Sequence, residues 1–348
     1  MNTIEVGVLG GTGMVGQHFI RFLQEHPWFK LTWLGASDRS AGKKLKDATQ
    51  WRLDGEMPKS AAEIVVSECK PERAPKLVFS AMDASVATEI ELAFAKAGHM
   101  VVSNSRNHRM EADVPLMVPE VNPGHLALVR AQQRLRGWSG MIVTNPNCST
   151  VTLTMALAPL KQFGIQKVMA ATMQAVSGAG YPGVASMDIL ANVVPYIGSE
   201  EEKMESETQK ILGTLDGARI EPLPATVSAH CNRVAVVDGH MVTASVALSS
   251  KPALAEVQAA MEGFQSVPQQ RNLPSAPPNP VIYMREADRP QPRRDANREN
   301  GMAVFVGRLR KCPVLDLKFV ACGHNTIRGA AGAAVLNAEL MASEGYLD

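Results

Sequence analysis

The chain has 348 residues, of which 45% are hydrophobic and 20% are charged, and its formal net charge is +1. This near-neutral balance provides no general attraction to nucleic acid or to an anionic membrane, so we expect neither as a partner. The length favours two domains over one. The first residues enter a strand pattern instead of a basic and apolar leader, and no run approaches about 18 apolar residues, so we expect a cytoplasmic protein.

The first part of the chain alternates between strand-like and helix-like patterns. We predict strands at residues 4–9, 31–36, 77–80, 100–103 and 141–144, and helices at residues 14–25 and 84–97. Strands that alternate with helices are typical of βαβ units, in which helices connect parallel strands. The sequence therefore predicts a parallel sheet in this part of the chain.

The pattern changes after residue 148. We predict helices at 150–162, 200–212 and 253–264, and strands at 168–176, 233–238, 240–248, 303–309 and 315–321. This order of elements favours an antiparallel sheet with helices on one face. Residues 266–300 are rich in proline and charge and predict a long surface loop, whereas the alanine-rich residues 328–344 predict a helix that could return to the first domain.

A glycine cluster follows the first predicted strand and opens the first helix. It reads Gly11-Thr12-Gly13-Met14-Val15-Gly16 and matches the pattern G-x-G-x-x-G. Glycines in this pattern permit a tight turn and a close approach of the backbone to a pyrophosphate at the helix N-terminus. We therefore predict a dinucleotide site in which residues 11–15 contact the cofactor.

The end of the second predicted strand indicates which dinucleotide binds. Residues 37–44 contain three cations, two serines and one carboxylate. A carboxylate there accepts a hydrogen bond from the ribose 2′-OH of NAD, whereas Arg or Lys with serine suits the 2′-phosphate of NADP. The composition favours NADP, with Ser37 and Arg39 as contacts. Lys43 and Lys44 are equally consistent with a solvated turn.

One of the five cysteines, Cys148, has a context that indicates chemistry. It lies in Asn145-Pro146-Asn147-Cys148-Ser149, between a predicted strand and an apolar helix that begins near residue 150. The positive end of a helix lowers the pKa of a thiol, so we expect a nucleophile that acts covalently on an acyl group. The cysteines form no C-x-x-C pair, which predicts neither a disulfide framework nor a metal site.

A thiolate needs a group that transfers protons, and the second half of the chain offers His230 and His240 on or beside one predicted pair of strands. Arg233 precedes His240 by seven positions, and its planar fork suits a carboxylate. His230 adjoins Cys231, but adjacent strand residues point to opposite faces, so we interpret Cys231 as structural. A lone pair of a histidine and an arginine at this spacing more often has a structural role.

Four further segments complete a pattern over nearly the whole chain. They are Asn145–Ser149, Gln174–Gly180, Asn232–His240 and Asn325–Gly332. Together with the glycine cluster they closely resemble the aspartate-semialdehyde dehydrogenase family in its archaeal and fungal branch. The resemblance implies an α/β fold: an N-terminal Rossmann-type parallel sheet, an α+β catalytic and dimerisation domain like that of glyceraldehyde-3-phosphate dehydrogenase, and a C-terminal helix that returns to the first domain. We expect an NADP-binding domain at residues 1–147 plus 325–348 and a catalytic domain at residues 148–324.

The resemblance also implies an activity. Members of the family carry out the NADPH-dependent reductive dephosphorylation of L-4-aspartyl phosphate to L-aspartate 4-semialdehyde through a cysteine thioester. This step belongs to the biosynthesis of lysine, threonine and methionine. The resemblance implies a homodimer or a homotetramer, and the sequence does not decide between them. It also leaves open how strongly NADP is preferred over NAD.

Carried over to this sequence, the resemblance assigns roles to individual residues. The implied catalytic residues are Cys148 as nucleophile, Gln174 as the amide that orients the acyl group, and His240 as acid and base. The implied substrate contacts are Arg233 for the α-carboxylate, Glu200 for the amino group, Lys203 and Arg109 for phosphate, and Asn147. The implied cofactor contacts beyond residues 11–15, Ser37 and Arg39 are Ser80, Ser177, Gly178 and Asn325. Glu201 and Glu202 remain alternatives to Glu200, and Arg106 remains an alternative to Arg109.

Other functions fit parts of this pattern. A malonyl-CoA reductase of the same fold would share the nucleophile but prefer a CoA thioester. Glyceraldehyde-3-phosphate and N-acetyl-glutamyl-phosphate reductase-type dehydrogenases share the architecture but fit these motifs less well. From different classes, a cysteine acyl hydrolase or a non-catalytic nucleotide-binding module would carry the glycine turn without any oxidation of NADPH.

Overall fold

Two large β-sheets organise the chain in the computed structural model, which describes residues 3–347. The strands of the first sheet are β1 (Ile4–Leu9), β2 (Phe29–Ala36), β3 (Ser67–Glu68), β4 (Leu77–Ser80), β5 (Met100–Ser103) and β6 (Met141–Thr144). All are parallel, in the order β3-β2-β1-β4-β5-β6. The predicted parallel sheet is confirmed, and only the two-residue β3 was not predicted.

Helices connect these strands. They are α1 (Met14–Leu23), α2 (Leu45–Ala48), α3 (Lys59–Ala62), α4 (Ala84–Lys96) and α5 (Leu128–Arg136), with 3₁₀ turns at Pro71–Arg73 and Pro123–Ala127. The predicted helices at 14–25 and 84–97 are α1 and α4, which end slightly earlier than expected. α1 buries Phe19, Ile20 and Leu23 in the same apolar cluster as the inner residues of β1. This packing presents the N-terminus of α1 at the carboxyl end of the parallel sheet.

The second sheet has seven strands and is mixed. They are β7 (Ile165–Gln174), β8 (Val193–Val194), β11 (Thr226–Val234), β12 (His240–Leu248), β13 (Val281–Met284), β14 (Val304–Lys311) and β15 (Leu317–Gly323), and a separate hairpin consists of β9 (Thr214–Asp216) and β10 (Arg219–Glu221). The sheet order is β13-β14-β15-β12-β7-β11-β8. The prediction of a purely antiparallel sheet is wrong, because β7 pairs with β11 and β13 with β14 in parallel.

The remaining helices are α6 (Cys148–Leu157), α7 (Ser186–Ile189), α8 (Glu200–Ile211), α9 (Leu254–Glu262), α10 (Val267–Gln270), α11 (Pro292–Asp295) and α12 (Gly332–Ser343). Shorter turns are the 3₁₀ segments Ala158–Phe163, Val176–Ala179 and Arg298–Gly301 and the π-helical turn Ile327–Ala331. α6, α8 and α9 contribute to the core of the second sheet, as predicted for a sheet with helices on one face. Among residues 3–347, no helix is long and apolar enough to cross a membrane.

Three details differ from the predicted elements. The strand predicted at 233–238 is wrong: β11 ends at Val234, and a turn at Asp238-Gly239, with a positive φ at Gly239, leads to β12. His230 and His240 do not lie on paired strands, because β7 runs between β11 and β12. The predicted loop at 266–300 contains β13, since its apolar run Val281–Met284 pairs with β14 at the sheet edge.

The C-terminal segment returns to the first sheet, as predicted. α12 is buried on all sides, and its Val335 and Leu336 belong to the apolar cluster that includes Val8 and Phe19. The π-helical turn Ile327–Ala331 connects β15 of the second sheet to this helix. The turn therefore crosses between the two sheets, where residues of both line a common cavity.

Candidate active site

A cavity of about 570 Å³ lies where the two sheets meet. On the side of the first sheet, the cavity is lined by Met14 and Val15 at the N-terminus of α1. On the side of the second sheet, the lining includes Cys148, Lys203 and Asn325. The carboxyl ends of parallel strands, with a helix N-terminus beside them, are the usual place for a ligand in such a sheet. The cavity therefore joins the predicted dinucleotide site to the predicted nucleophile.

Cys148 is the first residue of α6, directly after the turn that follows β6. The preceding Asn147 caps the helix, because its Oδ1 accepts from Ser149 N at 3.0 Å and from Thr150 N at 3.3 Å. On the other side, Gly329 packs so closely that an added Cβ would lie 2.5 Å from Cys148 Cβ. The cap and this close packing fix the position of the thiol.

The free site does not lower the pKa of Cys148, and that prediction is wrong. Burial, followed by the charge of Glu200, raises the pKa of the thiol to about 12, although Arg233 and Arg109 oppose this shift. The backbone N–H of Ser149 at the helix N-terminus also lowers the pKa, but by less than burial raises it. Without substrate, Cys148 is therefore a neutral thiol at neutral pH.

His240 begins β12 and contacts the thiol, with 3.1 Å between its Nε2 and Cys148 Sγ. Its Nδ1 accepts from Ala175 N at 3.1 Å. Because a backbone N–H only donates, the proton of the neutral ring lies on Nε2 and faces the sulfur. Burial, followed by the charges of Arg233 and His324, lowers the pKa of His240 to about 3, so the ring is neutral at physiological pH.

Gln174 and Arg233 come from the adjacent strands β7 and β11, where they are register partners. Arg233 Nη1 donates to Ala175 O at 2.9 Å, and burial lowers the pKa of Arg233. Gln174 Nε2 donates to Glu200 Oε2 at 3.4 Å. Gly178 packs directly on Arg233, since an added Cβ there would lie 2.9 Å from Nη1. The side chains of Gln174 and Arg233 are almost fully buried behind the wall of the cavity.

Glu200 is the first residue of α8 and lines the cavity. Its Oε2 accepts from Asn147 Nδ2 at 2.7 Å, and its Oε1 accepts from Lys203 Nζ at 3.0 Å. The neighbouring glutamates face elsewhere: Glu201 accepts a backbone N–H of β11, and Glu202 is exposed. Of the three consecutive glutamates, Glu200 is therefore the one beside the thiol.

Arg109 and Arg106 both line the cavity, but their environments differ. Arg106 is exposed, whereas Arg109 is only 8% exposed. Arg109 Nη1 donates to Glu207 Oε1 at 3.0 Å, and Nη2 donates to Asn104 O at 2.8 Å. Its buried Nε has no hydrogen-bond partner within the described part of the chain. Arg109 therefore lies in the cavity wall with its guanidinium held by Glu207 and by Asn104 O.

The cofactor end of the cavity fits a dinucleotide. Gly13 caps α1 without a side-chain hydrogen bond, so its first N–H groups are available to a pyrophosphate. Gly16 packs against the turn that follows β1, since an added Cβ would lie 2.3 Å from Gly10 O. Asn325 donates through Nδ2 to Ser177 Oγ at 2.8 Å, and its Oδ1 accepts from Gly239 N at 2.8 Å.

The structure places the other predicted cofactor residues at different depths. Gly11, Thr12 and Gly13 form the turn before α1, while Met14, Val15, Ser177, Gly178 and Asn325 line the cavity. Ser37 and Arg39 are exposed just after β2 and are not part of the cavity lining, and Lys44 is paired with Glu63 at 2.6 Å. Ser80 is fully buried at the end of β4 and is not part of the cavity lining.

Sequence reasoning missed three contributors to the site. They are Glu207, which pairs with Arg109; the Ala175 N–H, which orients His240; and Gly329, which packs on Cys148. Helical spacing was a signal for the first, because Glu200, Lys203 and Glu207 are separated by three and four positions and share one face of α8. No sequence signal indicates the other two contacts, which depend on long-range packing.

Two family models match the chain, one for each part of the fold. The model described as "Semialdehyde dehydrogenase, NAD binding domain" matches residues 5–129, and "Semialdehyde dehydrogenase, dimerisation domain" matches residues 157–328. The second match indicates that the chain carries the part of these proteins that forms homo-oligomers.

Full-length relatives give a more specific similarity. The chain is 51% identical to an aspartate-semialdehyde dehydrogenase of Methanothermobacter thermautotrophicus, over 97% of this chain and 99% of the relative, and 48% identical to one of Archaeoglobus fulgidus, over 97% and 98%. Its fold is similar to the crystal structure of aspartate semialdehyde dehydrogenase with NADP from Candida albicans, with a TM-score of 0.92, 44% identity and 99% of each chain covered. The match of the motifs, the fold and the full length shows that the chain belongs to the aspartate-semialdehyde dehydrogenase family.

Proposed function

We propose that this protein is an NADPH-dependent aspartate-β-semialdehyde dehydrogenase. In the biosynthetic direction it converts L-4-aspartyl phosphate to L-aspartate 4-semialdehyde and phosphate, a step toward lysine, threonine and methionine. The observation that carries the proposal is the contact of 3.1 Å between Cys148 Sγ and His240 Nε2, beside a cavity that extends to the N-terminus of α1. The family and the NADP complex of the Candida albicans relative support it.

Cys148 supplies the nucleophile. Its sulfur attacks the acyl carbon, a carbon–sulfur bond forms, and the carbon–oxygen bond to the phosphoryl group breaks, so that phosphate leaves and a thioester remains. Lys203 and Arg109 line the same cavity and neutralise the departing charge.

His240 transfers the proton of the thiol, since its Nε2 is the ring atom within reach of Sγ. In the free enzyme Nε2 already carries a hydrogen, because Nδ1 accepts from Ala175 N. Proton uptake at Nε2 therefore requires the ring to give up that hydrogen bond and carry its own hydrogen on Nδ1. The neutral thiol and neutral imidazole of the free site make this a step that substrate binding drives.

The amino-acid end of the substrate is bound by opposite charges. Glu200, in the cavity wall, presents a carboxylate to the amino group. Arg233, buried directly behind Gly178 of the lining, supplies the guanidinium for the α-carboxylate. Gln174, within hydrogen-bond distance of Glu200, orients the acyl group by its amide. The pairing of β7 with β11 keeps Gln174 and Arg233 side by side.

NADPH, when bound, supplies the hydride that reduces the thioester. On the protein side, the turn at residues 11–13 and the N-terminus of α1 hold the pyrophosphate, and Ser37 with Arg39 contacts the 2′-phosphate. Asn325 and Ser177, which are hydrogen-bonded to each other, orient the nicotinamide end next to Cys148.

We further propose a functional division of the chain into an NADP-binding domain, residues 1–147 with 325–348, and a catalytic and dimerisation domain, residues 148–324. Two separate apolar clusters support this division, since α12 packs with the first sheet and α6 with the second. The protein acts as a homodimer or homotetramer, in agreement with the dimerisation-domain match. We expect it in the cytoplasm, where a catalytic thiol stays reduced.

A single assay tests the activity. L-aspartate 4-semialdehyde, inorganic phosphate and either NADP or NAD are mixed with the protein, and nucleotide reduction is followed by absorbance. We expect turnover that requires phosphate and is faster with NADP. Cys148→Ala should abolish it while NADP binding, measured by fluorescence titration, is retained. Cys312→Ala is the matched control, because that thiol lies in the loop between β14 and β15 and is not part of the cavity lining.

The alternatives predict other results. A malonyl-CoA reductase would oxidise NADPH faster with the CoA thioester than with aspartyl phosphate. A cysteine acyl hydrolase would release product without any nucleotide, and a nucleotide-binding module would bind NADP but catalyse nothing. Retained turnover in Cys148→Ala would contradict the nucleophile assignment directly.

A further inference from the structure

Glu207 lies on α8, is only 2% exposed, and uses both carboxylate oxygens in the site. Its Oε1 accepts from Arg109 Nη1 at 3.0 Å. Its Oε2 accepts from Asn147 N at 2.6 Å. One buried carboxylate thus links the arginine that follows β5 to the residue that directly precedes Cys148. None of the roles discussed above uses this group.

The contact with Arg109 orients its guanidinium. Glu207 accepts a hydrogen bond from Nη1 and Asn104 O accepts one from Nη2, so two of the three guanidinium nitrogens are held in place. The third, Nε, is buried and has no partner in the described residues. A buried arginine needs a counter-charge to keep its position, and Glu207 provides it. Because Arg109 lines the cavity, this carboxylate sets the orientation that its guanidinium has there.

The contact with Asn147 fixes the nucleophile. Asn147 donates through its backbone to Glu207, caps α6 through Oδ1, and donates through Nδ2 to Glu200. Its backbone carbonyl accepts from Val151 N at 2.9 Å, so all four polar groups of this residue are occupied. Cys148 is the next residue in the chain. Glu207 therefore contacts both Arg109, the phosphate-binding cation, and the residue next to the nucleophile.

We propose that Glu207 is a positioning residue for phosphate: it sets the orientation of Arg109 and its distance from Cys148, so that the phosphoryl group of the substrate meets both. The inference rests on the proposed dehydrogenase activity and deepens it, because it explains how this site favours an acyl phosphate as the substrate. Glu207 itself contacts neither the acyl carbon nor the phosphate.

Two variants test this role. Glu207→Gln keeps the length of the side chain but removes the charge, and Glu207→Asp keeps the charge but is one methylene too short to reach both partners. In semialdehyde oxidation, we expect the KM for inorganic phosphate to rise by about 10-fold or more in both, as for a lost charge-assisted hydrogen bond. The KM for NADP should stay within about twofold, because the N-terminus of α1 is not touched.

The matched control is Glu205→Gln. Glu205 lies on the same helix and also accepts a backbone N–H, from Ala229 at 3.1 Å, but it is not part of the cavity lining. Its phosphate KM should equal that of the wild type. Thermal unfolding of all three variants shows whether each is folded, and if Glu207→Gln does not fold, Glu207→Asp decides the question alone.

A second measurement does not depend on turnover. Inorganic phosphate should protect Cys148 of the wild type from iodoacetamide, and the variants should need about 10-fold more phosphate for the same protection. An unchanged phosphate KM and unchanged protection in folded Glu207 variants would overturn the inference, as would an equal loss in every KM. A wild type that is protected by phosphate but shows no phosphate-dependent oxidation would instead refute the proposed dehydrogenase activity.

Discussion

Gly329→Ala tests whether close packing sets the position of the nucleophile. Gly329 lies in the π-helical turn Ile327–Ala331, and its N–H donates to His324 O at 2.9 Å. A Cβ at this position would lie 2.5 Å from Cys148 Cβ and 2.9 Å from Cys148 Cα. Neither neighbour is the end of a flexible side chain, so the added methyl group forces the backbone of α6 or of the turn to move.

The size of the effect follows from this overlap. The Cβ would be about 1 Å closer to Cys148 than ordinary contact between carbon atoms allows. A misplacement of about 1 Å in an active site reduces the rate by about 100-fold. Overpacking of a well-packed region lowers the free energy of unfolding by about 1–3 kcal/mol. We therefore expect a folded protein with about 1% of the wild-type kcat.

The measurement is kcat for phosphate-dependent oxidation of the semialdehyde, together with thermal unfolding. Gly124→Ala is the matched control, because an added Cβ at Gly124 meets no atom within 4 Å, and its activity should be unchanged. A Gly329→Ala enzyme with wild-type kcat would show that the turn moves away freely and that its packing does not position Cys148.

Two further predictions concern the charges of the site. Arg233→Leu should raise the KM for the semialdehyde by about 10- to 100-fold with a smaller effect on kcat, because one charge-assisted contact to the α-carboxylate is lost. The control is Arg219→Leu, on the exposed hairpin β9–β10, which should change neither KM nor kcat. An unchanged KM in Arg233→Leu would contradict the assignment of Arg233 to the α-carboxylate. The rate of Cys148 alkylation by iodoacetamide in the free enzyme, followed by mass spectrometry of its peptide, is measured from pH 5 to pH 10. It should rise about tenfold per pH unit throughout, since the pKa of the thiol is about 12 and only the thiolate reacts. The profile should have no inflection near pH 6.5, because the pKa of His240 is about 3, and a plateau below pH 8 would disagree with both shifts.

Local patterns were enough to predict the elements whose signal lies within a few neighbouring residues. β1, β4 and β5 have the predicted bounds because each is a short apolar run with turn residues on both sides. β12 was likewise predicted in full, from His240 to Leu248. The bounds of β11 were not, because the apolar residues that follow Val234 resemble a strand although the turn before His240 interrupts the pairing.

Local sequence patterns did not predict the direction in which strands pair or the way in which burial changes the pKa of Cys148. Nothing in β7 or β11 indicates that they run parallel, since the direction depends on the path of the intervening α8. In the same way, the position of Cys148 at a helix N-terminus predicted a lowered pKa, whereas its surroundings raise the pKa. The desolvation that dominates this shift comes from residues far away in the chain.

The sequence by itself determined the chemistry that is available: a thiol at the start of a helix, a glycine turn for a dinucleotide, and an ordered set of motifs that name the family. These features are encoded by adjacent residues, so they can be recognised without any fold. Only the tertiary structure decided which of these groups come into contact. It brought His240 to Cys148, chose Glu200 among three consecutive glutamates, and paired Glu207 with Arg109. These contacts join residues at sequence separations from 53 to 98, and their distances follow from the packing of two sheets, which no short segment specifies.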